Sequence, residues 1–169
     1  GIIKSHGGMI EVTSDSANDT TFHVFLPASS KTPHKKKPEF SVTRTRTGNE
    51  TILLVDDEKV ITDVTGAMLM TLGYDVMIAS DGEEAVSIYQ EKGTHIDLVI
   101  MDVVMPGMGG GEAIDLIREI NPHVKVILCS GYSMSGAVKA IMEKGVKTFL
   151  KKPFKMNDFS QKIREVLDS

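Results

Sequence analysis

The stretch VIMDVVMPGMGG, residues 99–110, ends an apolar run on one carboxylate, Asp102, and then breaks into valine, methionine, proline and glycine. A charge at the end of a buried strand is costly unless it is paired or bound to a metal. Either the fold neutralises Asp102 or the protein uses it. Similar apolar runs lie on both sides: TILLV (51–55), YDVMIA (74–79), IDLVIM (96–101), VKVILC (124–129) and VKTFL (146–150). Helical patterns separate them. In the first, Val60, Ile61, Val64, Ala67 and Met68 fall on one face and Gly73 supplies the stop. The others run from about Glu83 to Glu91, Gly111 to Ile120 and Ser135 to Glu143, and the last places Phe159, Ile163, Val166 and Leu167 on one face. Five strand–helix pairs with near-continuous apolar strands predict an α/β domain, a doubly wound five-stranded parallel sheet covered on both faces.

In such sheets ligands sit beyond the carboxyl ends of the strands, near the point where strand order reverses. Asp56 and Asp57 end the first strand, Asp102 the third and Ser130 the fourth, and Lys151 and Lys152 precede Pro153 after the fifth. If those four strands are neighbours, these side chains converge. Three carboxylates in one pocket repel, and a hard divalent cation relieves that repulsion. Mg²⁺ takes one or two carboxylates together with phosphate oxygens, so it could bridge the pocket to a phosphoryl group. A serine hydroxyl and a lysine ammonium could then meet phosphoryl oxygens, leaving an aspartate nucleophile of the acyl-phosphate type. Taken singly, Asp56 or Asp57 reads as a helix cap, Ser130-Gly131 as a turn and the lysines as exposed charges. Their conjunction at one end of successive strands points to a site.

The motifs LLVDDE, VIMDVVMPGMGG, ILCSGY and FLKKPF, in this order, resemble those of the receiver domains of two-component signalling, over about Glu50 to Ser169. The resemblance implies a flavodoxin-like receiver fold and a phosphoacceptor, Asp102, charged from a phosphohistidine. It implies that Asp57 and Asp102 bind Mg²⁺ directly, that Asp56 holds a metal-bound water and that the Val104 carbonyl completes the protein's ligands. Lys152 is the implied phosphate partner, with Lys151 its neighbour, and the Lys152–Pro153 bond is expected to be cis. Ser130 and Phe149 are the implied switch residues: on phosphorylation the serine moves toward the phosphoryl group and the aromatic ring turns inward. Val104 and Tyr132 flank the path by which water reaches the phosphoryl group. An apolar valine cannot orient an attacking water, so slow self-dephosphorylation is expected.

The net charge of −4 hides an uneven distribution, because KTPHKKKPEFSVTRTRTG (31–48) holds six Lys/Arg and one Glu and leaves a net of −9 elsewhere. With prolines, Ser/Thr and little apolar content, residues 28–49 read as a basic flexible linker; no nucleic-acid partner is expected. The single cysteine, Cys129, lies in an apolar run and reads as a buried, inert thiol of a reducing compartment. No apolar run approaches the roughly 20 residues that span a bilayer. The expectation is a cytoplasmic fragment without membrane contact, any anchor of its parent lying upstream.

Gly1 to Pro27 contains two strand-like runs, Met9–Val12 and Thr21–Leu26, about a turn-rich SDSAND, which predicts a hairpin. Its helix end, His-Gly-Gly, Thr-x-Phe strand and closing Leu-Pro resemble the C-terminal end of the ATP-binding domain of sensor histidine kinases, although Asn18 and Asp19 stand where glycines are usual. By that resemblance residues 1–27 are a kinase remnant and residues 50–169 the receiver of a hybrid histidine kinase. The fragment is then expected neither to bind ATP nor to autophosphorylate, and His6, placed at the start of a strand, is no substitute donor. The donor would be the chain's own kinase core or a histidine phosphotransfer protein. Two other classes compete. An aspartate-nucleophile phosphohydrolase typically needs a second aspartate where Val104 sits, and a flavin-binding module would want a phosphate-cradling loop where VDDE stands.

Overall fold

Five apolar runs form one parallel sheet: β3 (Thr51–Val55), β4 (Asp75–Ala79), β5 (Leu98–Asp102), β6 (Val126–Ser130) and β7 (Thr148–Lys151). Their order across the sheet is β4-β3-β5-β6-β7. The computed structural model describes residues 2–14, 19–28, 46–131, 136–146 and 148–169, and the chain divides into two compact units, Gly1–Ser41 and Val42–Ser169. The expected turn residues 15–18, most of the linker, Tyr132, Ser135 and Lys147 lie outside the described residues.

Successive side chains of a strand point to opposite faces, so a strand buried on both sides must be apolar throughout. In β3, Leu53 and Val55 join one core and Ile52 and Leu54 the other. The first core is closed by α3 (Gly82–Lys92), α4 (Gly110–Ile120) and α5 (Gly136–Glu143), through residues such as Tyr89, Ile114, Ile117 and Val138. The second is closed by α2 (Lys59–Thr71) and α6 (Met156–Leu167), through Leu69, Phe159 and Ile163. The chain steps from β3 outward to β4 and then returns to the other side of β3 as β5. Strand order therefore reverses between β3 and β5, at the ends that carry Asp56, Asp57 and Asp102.

Three strands end on the polar residues read at their carboxyl ends. β5, β6 and β7 include Asp102, Ser130 and Lys151, and the register pairs Asp102 with Cys129 and Ser130 with Lys151. The polar ends are thus held in the hydrogen-bonded ladder.

The face expected for α2 is corrected. Thr62, Thr65, Gly66 and Leu69 are buried, whereas Val60 is 72% and Val64 56% exposed, Ala67 is exposed, and Ile61 and Met68 are only half-buried. Small side chains set the rotation of the helix, letting it lie close to the sheet while Leu69 and Leu72 fill the core. Thr62 can be buried because its hydroxyl donates to the Lys59 carbonyl at 2.9 Å. α2 stops at Gly73, whose φ of +94° suits glycine, and a Cβ there would lie 2.5 Å from the Gly48 carbonyl oxygen.

α6 is fastened at its far end. Arg164 pairs with Glu50 at 2.5 Å and with Asp168, and the Lys125 ammonium donates to the Leu167 carbonyl at 2.6 Å. Phe159 is fully buried and stacks on Phe154 with ring centroids 4.5 Å apart.

The N-terminal unit holds α1 (Ile2–Ser5) and an antiparallel pair, β1 (Met9–Ser14) and β2 (Thr20–Phe25), in register from Met9–Phe25 to Ser14–Thr20. His6 lies in the turn between α1 and β1 rather than at a strand start. Every residue of both strands is exposed, including the cross-strand pairs Ile10–Val24 and Val12–Phe22 on one face. A lone two-stranded ribbon is marginal in water.

Removing the ring of Phe159 empties the junction of α6 with the sheet. Phe159→Ala is expected to lower the unfolding free energy by about 3–5 kcal/mol in urea titration; a loss below about 1 kcal/mol would show that the stacked pair does not organise this core.

Candidate functional site

The carboxyl ends of β3, β5, β6 and β7 lie side by side, and the polar groups they carry meet. Carboxylate oxygens of Asp56, Asp57 and Asp102 lie within 4.8 Å of one another. Asp56 and Asp102 are buried, and Asp57 is exposed. Neither Asp56 nor Asp57 caps α2: the capping position is Glu58, and Asp56 Oδ1 instead accepts from the Glu58 amide at 3.2 Å. Asp56 is held from the strand side too, its own amide donating to the Ala79 carbonyl at 3.2 Å.

Lys152 enters this cluster from beyond β7. Its ammonium pairs with Asp56 Oδ2 and lies 3.0 Å from Asp102 Oδ1. The Lys152 amide donates to the Ser130 carbonyl at 2.9 Å, which ties this residue to the end of β6, and the Lys152–Pro153 peptide is cis. Lys151, one residue earlier in the pleat, is exposed. Ser130 is buried at the end of β6 beside them. Phe149 is half-buried against the α3–α5 side of the core, and Val104 is 56% exposed two residues beyond Asp102.

The electrostatics follow from burial. Desolvation pushes the Asp102 carboxyl above the ordinary aspartate range, the Lys152 hydrogen bond opposing it. Burial works against the Lys152 ammonium, but its bonds to Asp56 and Asp102 prevail and raise its pKa. Next to Asp102 in the ladder, the buried Cys129 thiol is pushed up to about 12, mainly by desolvation, so it stays protonated and unreactive at neutral pH.

Three hard oxygen donors with one exposed member suit an oxygen-seeking divalent cation. A hollow of about 340 Å³ is lined by two of them, Asp56 and Asp57, and by Lys59, Asp63, Ser80 and Glu84. The last two were not singled out from sequence. Glu84 accepts from both the amide and the hydroxyl of Ser80 at 2.7 Å, while Asp81 accepts from the Glu84 amide at 2.8 Å. The spacing SDGEE is a capping signature that could have located them.

Residues 52–164 match the model of the response regulator receiver domain, and the chain belongs to that family. Among its relatives is the sensor kinase CckA of Brucella abortus (strain 2308), 33% identical over 175 aligned positions that take in 99% of this chain but only 18% of the kinase. The chain thus spans less than a fifth of that relative. In solved structures, the receiver domain of the hybrid histidine kinase CckA is 35% identical with a TM-score of 0.59, covering 69% of this chain and 98% of that one. The receiver domain of a sensor histidine kinase from Pseudomonas aeruginosa PAO1, with a magnesium ion coordinated in its active-site cleft, is 29% identical with a TM-score of 0.65 and covers 72% of this chain and all of its own. The fold and the family are those of two-component signal transduction.

The raised pKa of Asp102 carries a sign. The folded state binds this proton more tightly than the unfolded one, so stability falls as pH rises from the ordinary aspartate value through the raised one. Asp102→Asn removes that loss. In magnesium-free buffer the variant is expected to melt a few degrees above wild type near pH 7, with the gain shrinking toward about pH 4. A variant less stable at neutral pH would show that Lys152 outweighs the burial cost.

Proposed function

We propose that this domain accepts a phosphoryl group from a phosphohistidine onto Asp102, as one station of a phosphorelay. The observation that carries the reading is the position of Lys152, whose ammonium bonds both a buried aspartate of β3's end and the aspartate that ends β5. In the transfer, an Asp102 carboxylate oxygen forms the new bond to phosphorus as the phosphorus–nitrogen bond of phosphohistidine breaks. The electron pair of that bond returns to the imidazole, which takes a proton. Lys152 and the Ser130 hydroxyl are assigned to the phosphoryl oxygens. Asp57 and Asp102 would hold Mg²⁺ directly, Asp56 through water, with the Val104 carbonyl as the remaining protein ligand. The ion would supply the positive charge that lets an anionic donor approach three carboxylates.

Ser130 and Phe149 form the proposed switch, since a new dianion on Asp102 shifts a two-state equilibrium by its differential contacts. Val104 offers no group to orient a hydrolytic water, and Val104→Asn is expected to shorten the phosphoprotein's lifetime several-fold. A short wild-type lifetime unchanged by the substitution would contradict this.

The donor is assigned as a protein that docks on α2. Val60, Val64 and Ala67 form an exposed apolar stripe that begins three residues after Asp57. Met70, 59% exposed, continues it, and Ile78, 43% exposed, is a further exposed apolar side chain, on β4. The parent is proposed to be a cytoplasm-facing hybrid histidine kinase, with residues 1–27 ending its ATP-binding domain, 28–49 a linker and 50–169 the receiver. The alignment of nearly the whole chain with a sensor kinase supports this. No helix among the described residues is long and apolar enough to cross a membrane.

Intact mass before and after incubation with phosphoramidate and Mg²⁺ tests the acceptor. One phosphate adduct is expected on wild type and none on Asp102→Asn; no adduct on wild type, or an equal one on the variant, overturns the reading. For docking, Val60→Glu with Val64→Glu is expected to slow transfer from a phosphohistidine protein by about tenfold or more while leaving phosphoramidate labelling unchanged. Equal losses with both donors would contradict the docking surface.

A further inference from the structure

Among the proposed ligands of the cation, the Val104 carbonyl differs from the carboxylates because no side-chain torsion can adjust it. Its position depends on whatever holds residues 103–109. At the near end, the Val103 amide donates to the Cys129 carbonyl at 3.1 Å, and Val103 and Met105 are buried. At the far end, a Cβ on Gly110 would collide with the Asp102 carbonyl oxygen, so α4 begins pressed against the acceptor's own backbone. Between these ends the loop rests on another helix. A Cβ on Gly82 would lie 2.5 Å from the Met108 carbonyl oxygen, 2.8 Å from its Cγ and 3.0 Å from its Cβ.

The first two contacts are closer than a real Cβ shows and the third is tight, and the shortest is to a backbone oxygen that no rotamer change can move. The start of α3 cannot yield either. The Asp81 carboxylate accepts from the Glu84 amide, and the Glu84 carboxylate accepts from the amide and hydroxyl of Ser80, which ties the start of α3 to the residues before it. Ala85, Val86 and Tyr89 fix the same helix in the core, and the Tyr89 hydroxyl accepts from Asn121 at the end of α4 at 3.0 Å. α3 is therefore a rigid stop for the loop.

We propose that Gly82, on a helix that contributes no group to the phosphoacceptor cluster, is a positioning residue for the cation: by admitting the Met108 backbone it fixes where residues 103–109 present the Val104 carbonyl. The inference rests on the Mg²⁺-assisted acceptor reading above. Any side chain at position 82 must push the Met108 backbone outward, and the displacement passes along four residues to the ligand.

Isothermal titration with Mg²⁺ on wild type, Gly82→Ala, Met108→Gly and the control Gly136→Ala tests it. Gly136 has open space where a Cβ would go, so its variant is expected to bind as wild type does. Gly82→Ala is expected to bind Mg²⁺ about tenfold more weakly, the size typical of losing support around a metal ligand. Met108→Gly, which loosens the contact without crowding it, is expected to bind several-fold more weakly. Phosphoramidate labelling of Gly82→Ala should recover at saturating Mg²⁺, whereas a general structural defect would depress it at every concentration. If circular dichroism shows Gly82→Ala unfolded, Met108→Gly decides alone. Wild-type affinity in either folded variant overturns the positioning role. Absence of Mg²⁺ binding by wild type itself would instead overturn the acceptor reading, and this inference with it.

Discussion

Two aspartates buried at the ends of adjacent strands, with a third at the surface beside them, cannot remain ionised in one place without a counter-charge. In this domain the counter-charge is Lys152, bonded to Asp56 and Asp102 at once. Much of the architecture serves that contact. β3 and β5 must be neighbours for the aspartates to meet, β7 must follow β6 for the lysine to arrive, and the cores on both faces must hold those strands in register. The cluster still costs stability, as the raised Asp102 pKa records, and such a cost is what a site built for a ligand carries.

The same pairing explains how the site can be charged and yet accessible. Asp57 is exposed beside the hollow that Ser80 and Glu84 border, while the buried pair is held by the lysine. A cation entering from that side would take over neutralisation of the carboxylates and leave an ammonium for an incoming anion. The apolar stripe on α2 begins beside this entrance, where the proposed phosphohistidine donor would sit.

How much of this could be read in advance depended on whether the signal was local. The strands and Asp56, Asp57, Asp102, Ser130 and Lys152 were legible because apolar runs ending in polar residues are local patterns, and parallel topology brings their ends together. The face of α2 was misread because Val60 and Val64 repeat with the same period as a core stripe. What turns the helix is the fit of Thr62, Thr65 and Gly66 against the sheet, and small residues carry little hydropathy. The contact between Gly82 and Met108 was illegible for a different reason: it joins the first residue of α3 to a loop distant in sequence, and neither residue departs from its local pattern.

The central claim is that Asp102, rather than its neighbours Asp56 and Asp57, forms the acyl phosphate. Borohydride reduction of the phosphorylated protein converts a phosphoaspartate to homoserine, which peptide mass mapping locates. The account predicts homoserine at position 102 alone; homoserine at position 56 or 57, or none in a protein that carries phosphate, would contradict it.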